Sequence, residues 1–430
     1  MSRHSGKPWP LGSTVTSKGV NFCVAAPNAN RIELLIFKSG DSTVPDQIIE
    51  FDPNVNRSGD YWHMEIEEVG IGCCYGYRVF GPIETGGHGF QPAKVLLDPA
   101  TRAITGWTIY DRNKATGPTP NTRACLKSIV SERNLFDFES HPRPRNKWQN
   151  TVIYELHIGT FTTGSIEGRN KKSRGTYLDL IGKIPYLKDL GITAIELLPI
   201  FIFDPEDAPA GRKNIWGYSP LNWFTPHHEY CKSTNPLDAR NEIRTLVAAC
   251  HDAEIEVILD VVYNHTTEGN QDGPTLSWRG LADTDYYQQD SNGSYLDVSG
   301  CGNTISANEP ITTELIIESM KCWALELGID GFRFDLGIAL SRGKQLQPLE
   351  QPPLFTRIDA EPSLSDLKMV SEPWDCGGLY RLDDFPAKNI GTWNGHFRDA
   401  IRSFWKGDNS STWVFSQRLK GSPDLYKGKS

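Results

Sequence analysis

Two carboxyl groups and a guanidinium, each near the end of an apolar run, are the groups of this chain best placed to do chemistry. Gly331-Phe-Arg-Phe-Asp-Leu336 sets Arg333 and Asp335 two residues apart. Side chains alternate along a strand, so the two should share one face, with Phe332 and Phe334 on the other. An isolated Arg-x-Asp is commonly no more than a structural ion pair. Two further stretches share the design, however. Ile255-Glu-Val-Ile-Leu-Asp-Val-Val-Tyr-Asn-His265 is a β-branched run that finishes in Asp260, Asn264 and His265, and Lys368-Met-Val-Ser-Glu-Pro-Trp-Asp375 finishes in Glu372 with Trp374 beyond it. A carboxylate beside a cation is favoured in its ionised form, as a nucleophile needs. One set among apolar residues, as Glu372 is before Pro373 and Trp374, is favoured protonated, as a general acid needs.

The elements that must position these groups follow a repeat of helix, strand and polar strand end. Before the Asp260 run, Ile243, Leu246, Val247 and Cys250 fall at i, i+3, i+4 and i+7 of a helix. Before the Arg333 run, Ile316, Met320, Trp323 and Leu327 mark one stripe of a helix over about 313–327, stopped by Gly328. Upstream, Thr151–Ile158 and Ile192–Pro199 read as the first two strands of the same sheet. Between them Leu178, Ile181, Ile184, Leu187 and Leu190 suggest one helix closed by Gly191. Alternating helices and strands with chemistry at the strand ends predict a (β/α)8 TIM-type α/β barrel over 151–430. Glu254 stands just after the helix at 243–250; a positive φ there would cost a non-glycine residue about 1 kcal/mol.

The first hundred residues read differently. Gly19–Ala26, Arg31–Phe37, Tyr61–Ile66 and Cys74–Phe80 are short, often alternating runs separated by Gly, Pro, Asn and Asp. They predict an all-β, immunoglobulin-like sandwich over residues 1–105. Residues 106–150, with Pro118, Pro120, Pro142 and Pro144, read as an irregular linker.

The three motifs, in this order, resemble those of the α-amylase superfamily of glycoside hydrolases: Asp-Val-Val-Tyr-Asn-His at 260–265, Gly-Phe-Arg-Phe-Asp at 331–335 and Ser-Glu-Pro-Trp-Asp at 371–375. Ser299-Gly-Cys-Gly-Asn-Thr304, Glu372-Pro-Trp-Asp-Cys-Gly-Gly378, Trp393-Asn-Gly-His-Phe-Arg-Asp399, Pro8-Trp-Pro-Leu-Gly12 and Tyr75-Gly-Tyr-Arg-Val-Phe-Gly-Pro82 narrow the likeness to isoamylases, the glycogen and starch debranching enzymes. The resemblance implies Asp335 as nucleophile and Glu372 as general acid/base in a retaining double displacement. It also implies Tyr218 stacking on the sugar to be cleaved, His265 binding sugar hydroxyls and Asp260 holding Arg333, with Asn264 and Trp374 beside them. The resemblance also sets Tyr154 and His157 near the site mouth, while as single residues they read more readily as buried, satisfied polar groups. The implied substrate is a branched α-glucan such as glycogen, amylopectin or a limit dextrin. In some relatives the N-terminal module also binds glucan.

Composition is consistent with a neutral ligand. A net charge of −9 disfavours nucleic acid and anionic membranes as partners. The longest apolar stretch, Ile192–Phe203, is broken by Glu196 and Pro199 and is too short to span a bilayer. Nine cysteines without a disulfide-like framework suggest a reducing, cytoplasmic setting. No Cys/His spacing matches a zinc site, and no metal or organic cofactor is demanded. Oligomeric state is not legible.

One family feature is not found. Relatives carry a fourth motif, an apolar strand ending in His-Asp, and His396-Phe397 is no substitute for it. The expectation is therefore a truncated chain, its barrel incomplete at the C-terminal end, that is catalytically poor by itself. Two other readings compete: a non-catalytic glucan-binding or regulatory subunit, and a branching or trehalose-releasing relative.

Overall fold

The computed structural model describes residues 2–82, 89–163, 175–409 and 411–426. Its N-terminal part is two antiparallel sheets packed face to face. One runs in the order Arg3–His4, Tyr61–Glu67, Gly19–Ala25, Gly12–Val15, with Arg57–Ser58 also on Tyr61–Glu67. The other runs Gln47–Glu50, Arg31–Phe37, Cys74–Phe80, Lys127–Ile129, Ile104–Thr105. Inward residues of the two sheets meet in one core, where Phe22 packs edge-on against Tyr75 with centroids 4.9 Å apart. The sandwich thus takes a strand, Lys127–Ile129, from the stretch expected to be an irregular linker. That strand is only three residues long, too short for its period to show, and it is held by antiparallel pairing to Cys74–Phe80.

The C-terminal part is built on six parallel strands in chain order: Ile153–Leu156, Ala194–Leu197, Glu256–Val261, Gly331–Phe334, Lys368–Ser371 and Gly391–Thr392. Among the described residues this sheet is an open arc of a barrel and not a closed ring. Its apolar residues run nearly without a break, because strands of a parallel sheet are covered on both faces. The register sets Ile195 beside Val257, Leu259 beside Phe332 and Phe332 beside Met369, all buried. It sets Glu155 beside Glu196 and Asp260 beside Arg333. No described helix is long and apolar enough to cross a membrane.

The helix Ala239–Asp252 buries Ile243, Leu246, Val247 and Cys250 as expected, and Glu254 after it has φ 60°. The helix before the fourth strand is Pro310–Lys321 followed by a π-helical turn, Cys322–Glu326. Ile316, Met320, Trp323 and Leu327 are all buried, and Gly328 has φ 83°. The single helix expected over 178–190 is instead two, Tyr177–Ile181 and Ile184–Asp189. Gly182 and Lys183 interrupt it and Pro185 stands in the first turn of the second piece, so the periodicity resets. The buried face is Tyr177, Leu180, Ile184 and Leu187, while Leu190 is 52% exposed. After the sixth strand comes the helix Gly395–Lys406, at whose start the Asn394 side chain accepts from Phe397 N at 3.0 Å. Helices that the sequence reading left out include Trp278–Tyr286, Pro353–Asp359 and Ser411–Leu419.

The sandwich and the barrel sheet are locked together. Asn222 Nδ2 donates to Pro99 O at 2.8 Å and Thr225 Oγ1 to Thr101 O at 2.8 Å. Glu326, on the π-helical turn, lies between Arg102 of the sandwich (2.6 Å) and Arg240 of the barrel (2.5 Å), all three buried.

Candidate active site

Arg333 is the hub of the site, and the alternation along Gly331–Phe334 explains how it gets there. Phe332 and Phe334 turn into the helix-facing core, which leaves Arg333 on the inner face of the arc, with Asp335 just past the strand end. Its Nη1 donates to Asp260 Oδ1 at 3.0 Å and approaches Asp335 Oδ1 at 3.4 Å; its Nη2 donates to Glu372 Oε1 at 2.5 Å. Three neighbouring strands therefore deliver one carboxyl each to a single guanidinium.

The second carboxylate oxygen of each acid has its own donor. Asp260 Oδ2 accepts from the Tyr218 hydroxyl at 2.6 Å, and Asp335 Oδ2 from Asn264 Nδ2 at 2.9 Å. Glu372 Oε2 accepts from the backbone N–H of Leu336 at 3.0 Å. Leu336 can present that N–H because it adopts a left-handed conformation, φ 40° and ψ 42°, strained for a residue with a Cβ. The chain then passes so close to the fifth strand that a Cβ on Gly337 would meet Ser371 Oγ at 2.0 Å. His265 is held through both ring nitrogens, by Asn264 Oδ1 at 2.6 Å and Tyr218 O at 2.8 Å.

Burial raises two of the acids. Burial pushes the Glu372 carboxyl up from the ordinary range, against the opposing pull of Arg333, and the charge of Asp335 adds to the rise. Burial raises Asp260 as well, with Arg333 opposing. A strained backbone, a raised acid and a guanidinium shared by three carboxyl groups at the carboxyl ends of barrel strands form an arrangement that can give and take a proton beside a fixed carboxylate.

All eight residues singled out from sequence fall here. Asp260, Asn264, His265, Tyr218, Arg333, Asp335 and Glu372 form one connected network. Trp374 lies at its edge, packed against Tyr380 at 5.8 Å with the Arg398 guanidinium 5.4 Å from its ring centroid. Trp374 lines a cavity of about 570 Å³ together with Glu155, Glu196, Arg333, Glu372 and Arg398. A larger cavity, about 840 Å³, surrounds Glu256 and Lys368 near the starts of the strands and holds none of these eight residues. Tyr154 departs from expectation: it packs on Phe161 at 5.7 Å, while its neighbours Ile153 and Glu155 line the cavity. His157 lies at the strand end, bonded through Nε2 to Ile215 O at 2.7 Å.

Sequence reasoning missed Glu155, Glu196 and Arg398. Glu196 did leave a signal, as the single charge in the run Ile192-Thr-Ala-Ile-Glu-Leu-Leu-Pro199, which only an inward-facing partner could justify.

Comparison with known proteins gives independent findings. The model of the α-amylase catalytic domain matches residues 160–294, and that of carbohydrate-binding module 48, the isoamylase N-terminal domain, matches residues 10–101. Isoamylase 3, chloroplastic, of Oryza sativa subsp. japonica is 39% identical over 98% of this chain and 56% of its own length. A glycogen debranching enzyme of Klebsiella pneumoniae (strain 342) is 39% identical over 98% of this chain and 64% of its own. The chain thus spans little more than half the length of such relatives. Among solved structures, pullulanase from Bacillus acidopullulyticus shares the fold with a TM-score of 0.74, at 23% identity, over 97% of this chain and 50% of that one. A pullulanase from Anoxybacillus sp. LM18-11 complexed with maltotetraose gives 0.71, at 22% identity, over 97% of this chain and 59% of that one.

Proposed function

We propose that the chain belongs to the isoamylase and glycogen-debranching group of the α-amylase superfamily, as its 39% identity to such relatives supports, and that the protein is a glycoside hydrolase cleaving α-1,6 branch linkages of glycogen or amylopectin-type glucans. The observation that carries the reading is Arg333, which joins Asp335 and Glu372 while the two sit in different surroundings. Glu372, raised by burial, donates its proton to the glycosidic oxygen as that bond breaks. The Asp335 carboxylate, fixed by Asn264 and Arg333, bonds to the anomeric carbon and forms a covalent glycosyl intermediate. Glu372, now ionised, takes a proton from water, whose oxygen displaces Asp335 with net retention.

Supporting residues have roles consistent with their contacts. Asp260 orients Arg333, and His265, clamped by Asn264 and Tyr218, is fit to bind sugar hydroxyls. Tyr218 and Trp374 offer aromatic surface for a sugar ring. In the same reading the sandwich, about residues 1–105 together with the strand Lys127–Ile129, is an immunoglobulin-like carbohydrate-binding module packed against the barrel that begins near residue 151. The partner is a branched α-glucan. Nine free thiols fit a reducing, cytoplasmic setting.

The test is product analysis. Incubation with amylopectin should release linear maltooligosaccharides and raise reducing ends, while linear amylose stays intact. Shortening of amylose would replace the proposal with an α-1,4 activity. Binding of both glucans without any release would favour a non-catalytic glucan-binding subunit.

A further inference from the structure

Glu196 lies on the second barrel strand, 2% exposed, directly beside Glu155 in the parallel register. Its approach to a cation is unlike that of the other acids. Oε1 stands 3.7 Å from Arg333 Nε, beyond hydrogen-bond reach, and that Nε is buried without a hydrogen-bond partner among the described residues. Arg333 has already given its other nitrogens to Asp260, Asp335 and Glu372. One buried guanidinium thus faces four carboxyl groups, with Glu155 a fifth along the same cavity. The other cation there, Arg398, is half-exposed and engaged by Asp399 at 2.8 Å. Carboxylates crowded in this way cannot all ionise; at least one proton stays.

The donors decide which group keeps it. Asp260 accepts from Tyr218 and Arg333, Asp335 from Asn264 and Arg333, and Glu372 from Leu336 N and Arg333. Those bonds oppose, without cancelling, the burial that raises Asp260 and Glu372. Glu196 has only the 3.7 Å approach.

We propose that Glu196 is a positioning residue that carries the spare proton of the cluster and, through Arg333, sets the pH range over which Glu372 keeps its own. The first half of this assignment stands on geometry; the second rests on the hydrolase reading. While Glu196 is neutral, Arg333 serves the three hydrogen-bonded acids. When Glu196 ionises, a further negative charge draws on the same guanidinium, so Glu372 holds its proton to higher pH. Burial, outweighing Arg333, pushes Glu196 up to about 7, and Glu155 and Glu372 add to the rise.

The experiment compares the wild-type chain with Glu196→Gln and Glu196→Asp. A folded-state value raised above the unfolded one means stability present below about 4.5 and lost as pH climbs through about 7. The melting temperature of Glu196→Gln relative to wild type should therefore rise by a few degrees across that window and stay flat outside it. A constant offset from pH 4 to 9 would overturn the proposal, since a merely structural role moves no slope. Glu196→Asp keeps a titratable carboxyl and should follow the wild-type pH dependence, differing from wild type only by a constant offset; it also reports if the Gln variant fails to fold, and a melting temperature in it that lacks the wild-type decline between about 4.5 and 7 would then overturn the proposal. In kcat/KM profiles on amylopectin, the alkaline limb of Glu196→Gln should move to lower pH by about 1 unit, the coupling at which two groups titrate as a pair. An unmoved limb with a changed melting slope would leave the proton on Glu196 but end its link to Glu372. Absence of any hydrolysis in wild type would remove the hydrolase reading alone, because the melting data stand without it.

Discussion

Asn264 Nδ2 donates both to the Asp335 backbone carbonyl, at 2.7 Å, and to its carboxylate Oδ2, at 2.9 Å, while Asn264 Oδ1 contacts His265 Nδ1 at 2.6 Å. One amide thus fixes the third strand end to the fourth and sets the carboxylate and the imidazole relative to each other. Asn264→Ala removes both ties. A hydrogen bond to a charged group contributes about 1.5–3 kcal/mol, so kcat/KM on amylopectin should fall by about ten- to a hundredfold. Steady-state kinetics with a melting control reads this, and a fall in stability without a fall in rate would deny the amide its role.

Asp335→Asn and Glu372→Gln should each abolish turnover, for different reasons: the first removes the nucleophile, the second the proton donor. Because burial raises Glu372, wild-type activity should persist above the range in which an ordinary carboxyl is protonated and then fall as Glu372 ionises. The pH–rate profile checks the direction, and substantial residual rate in either variant would refute the assignment.

Glu326 is the charge between two buried arginines, Arg102 at 2.6 Å and Arg240 at 2.5 Å. Glu326→Gln leaves both without a counter-ion, and breaking a buried pair in this way costs about 3–5 kcal/mol. Denaturant unfolding should show the loss. Retention of full stability would mean that the sandwich and the barrel sheet are held by their apolar contact alone.

Glu254 occupies a left-handed position with φ 60°, and its side chain makes only an exposed pair with Lys188 at 2.9 Å. Such a pair contributes about 0–1 kcal/mol, while the left-handed strain on a residue with a Cβ is about 1–2 kcal/mol. Glu254→Gly should therefore raise the melting temperature slightly and leave activity unchanged.

The sequence by itself determined the strands that carry the site, the shared face of Arg333 and Asp335, and the buried stripe of the helix Ala239–Asp252. These depend on neighbours two, three or four residues apart, which local periodicity records directly. It also singled out the acids that the fold brings together at Arg333, because three motifs matched in order. The tertiary structure alone decided how the groups connect: Leu336 N to Glu372 across 36 residues, Tyr218 to Asp260 across 42, Asn264 to Asp335 across 71. It likewise turned Glu196 inward onto Arg333 and drew Lys127–Ile129 into the sandwich. Those outcomes follow from the register of parallel strands and the packing of one sheet on another, which join residues far apart in the chain and leave no period within it.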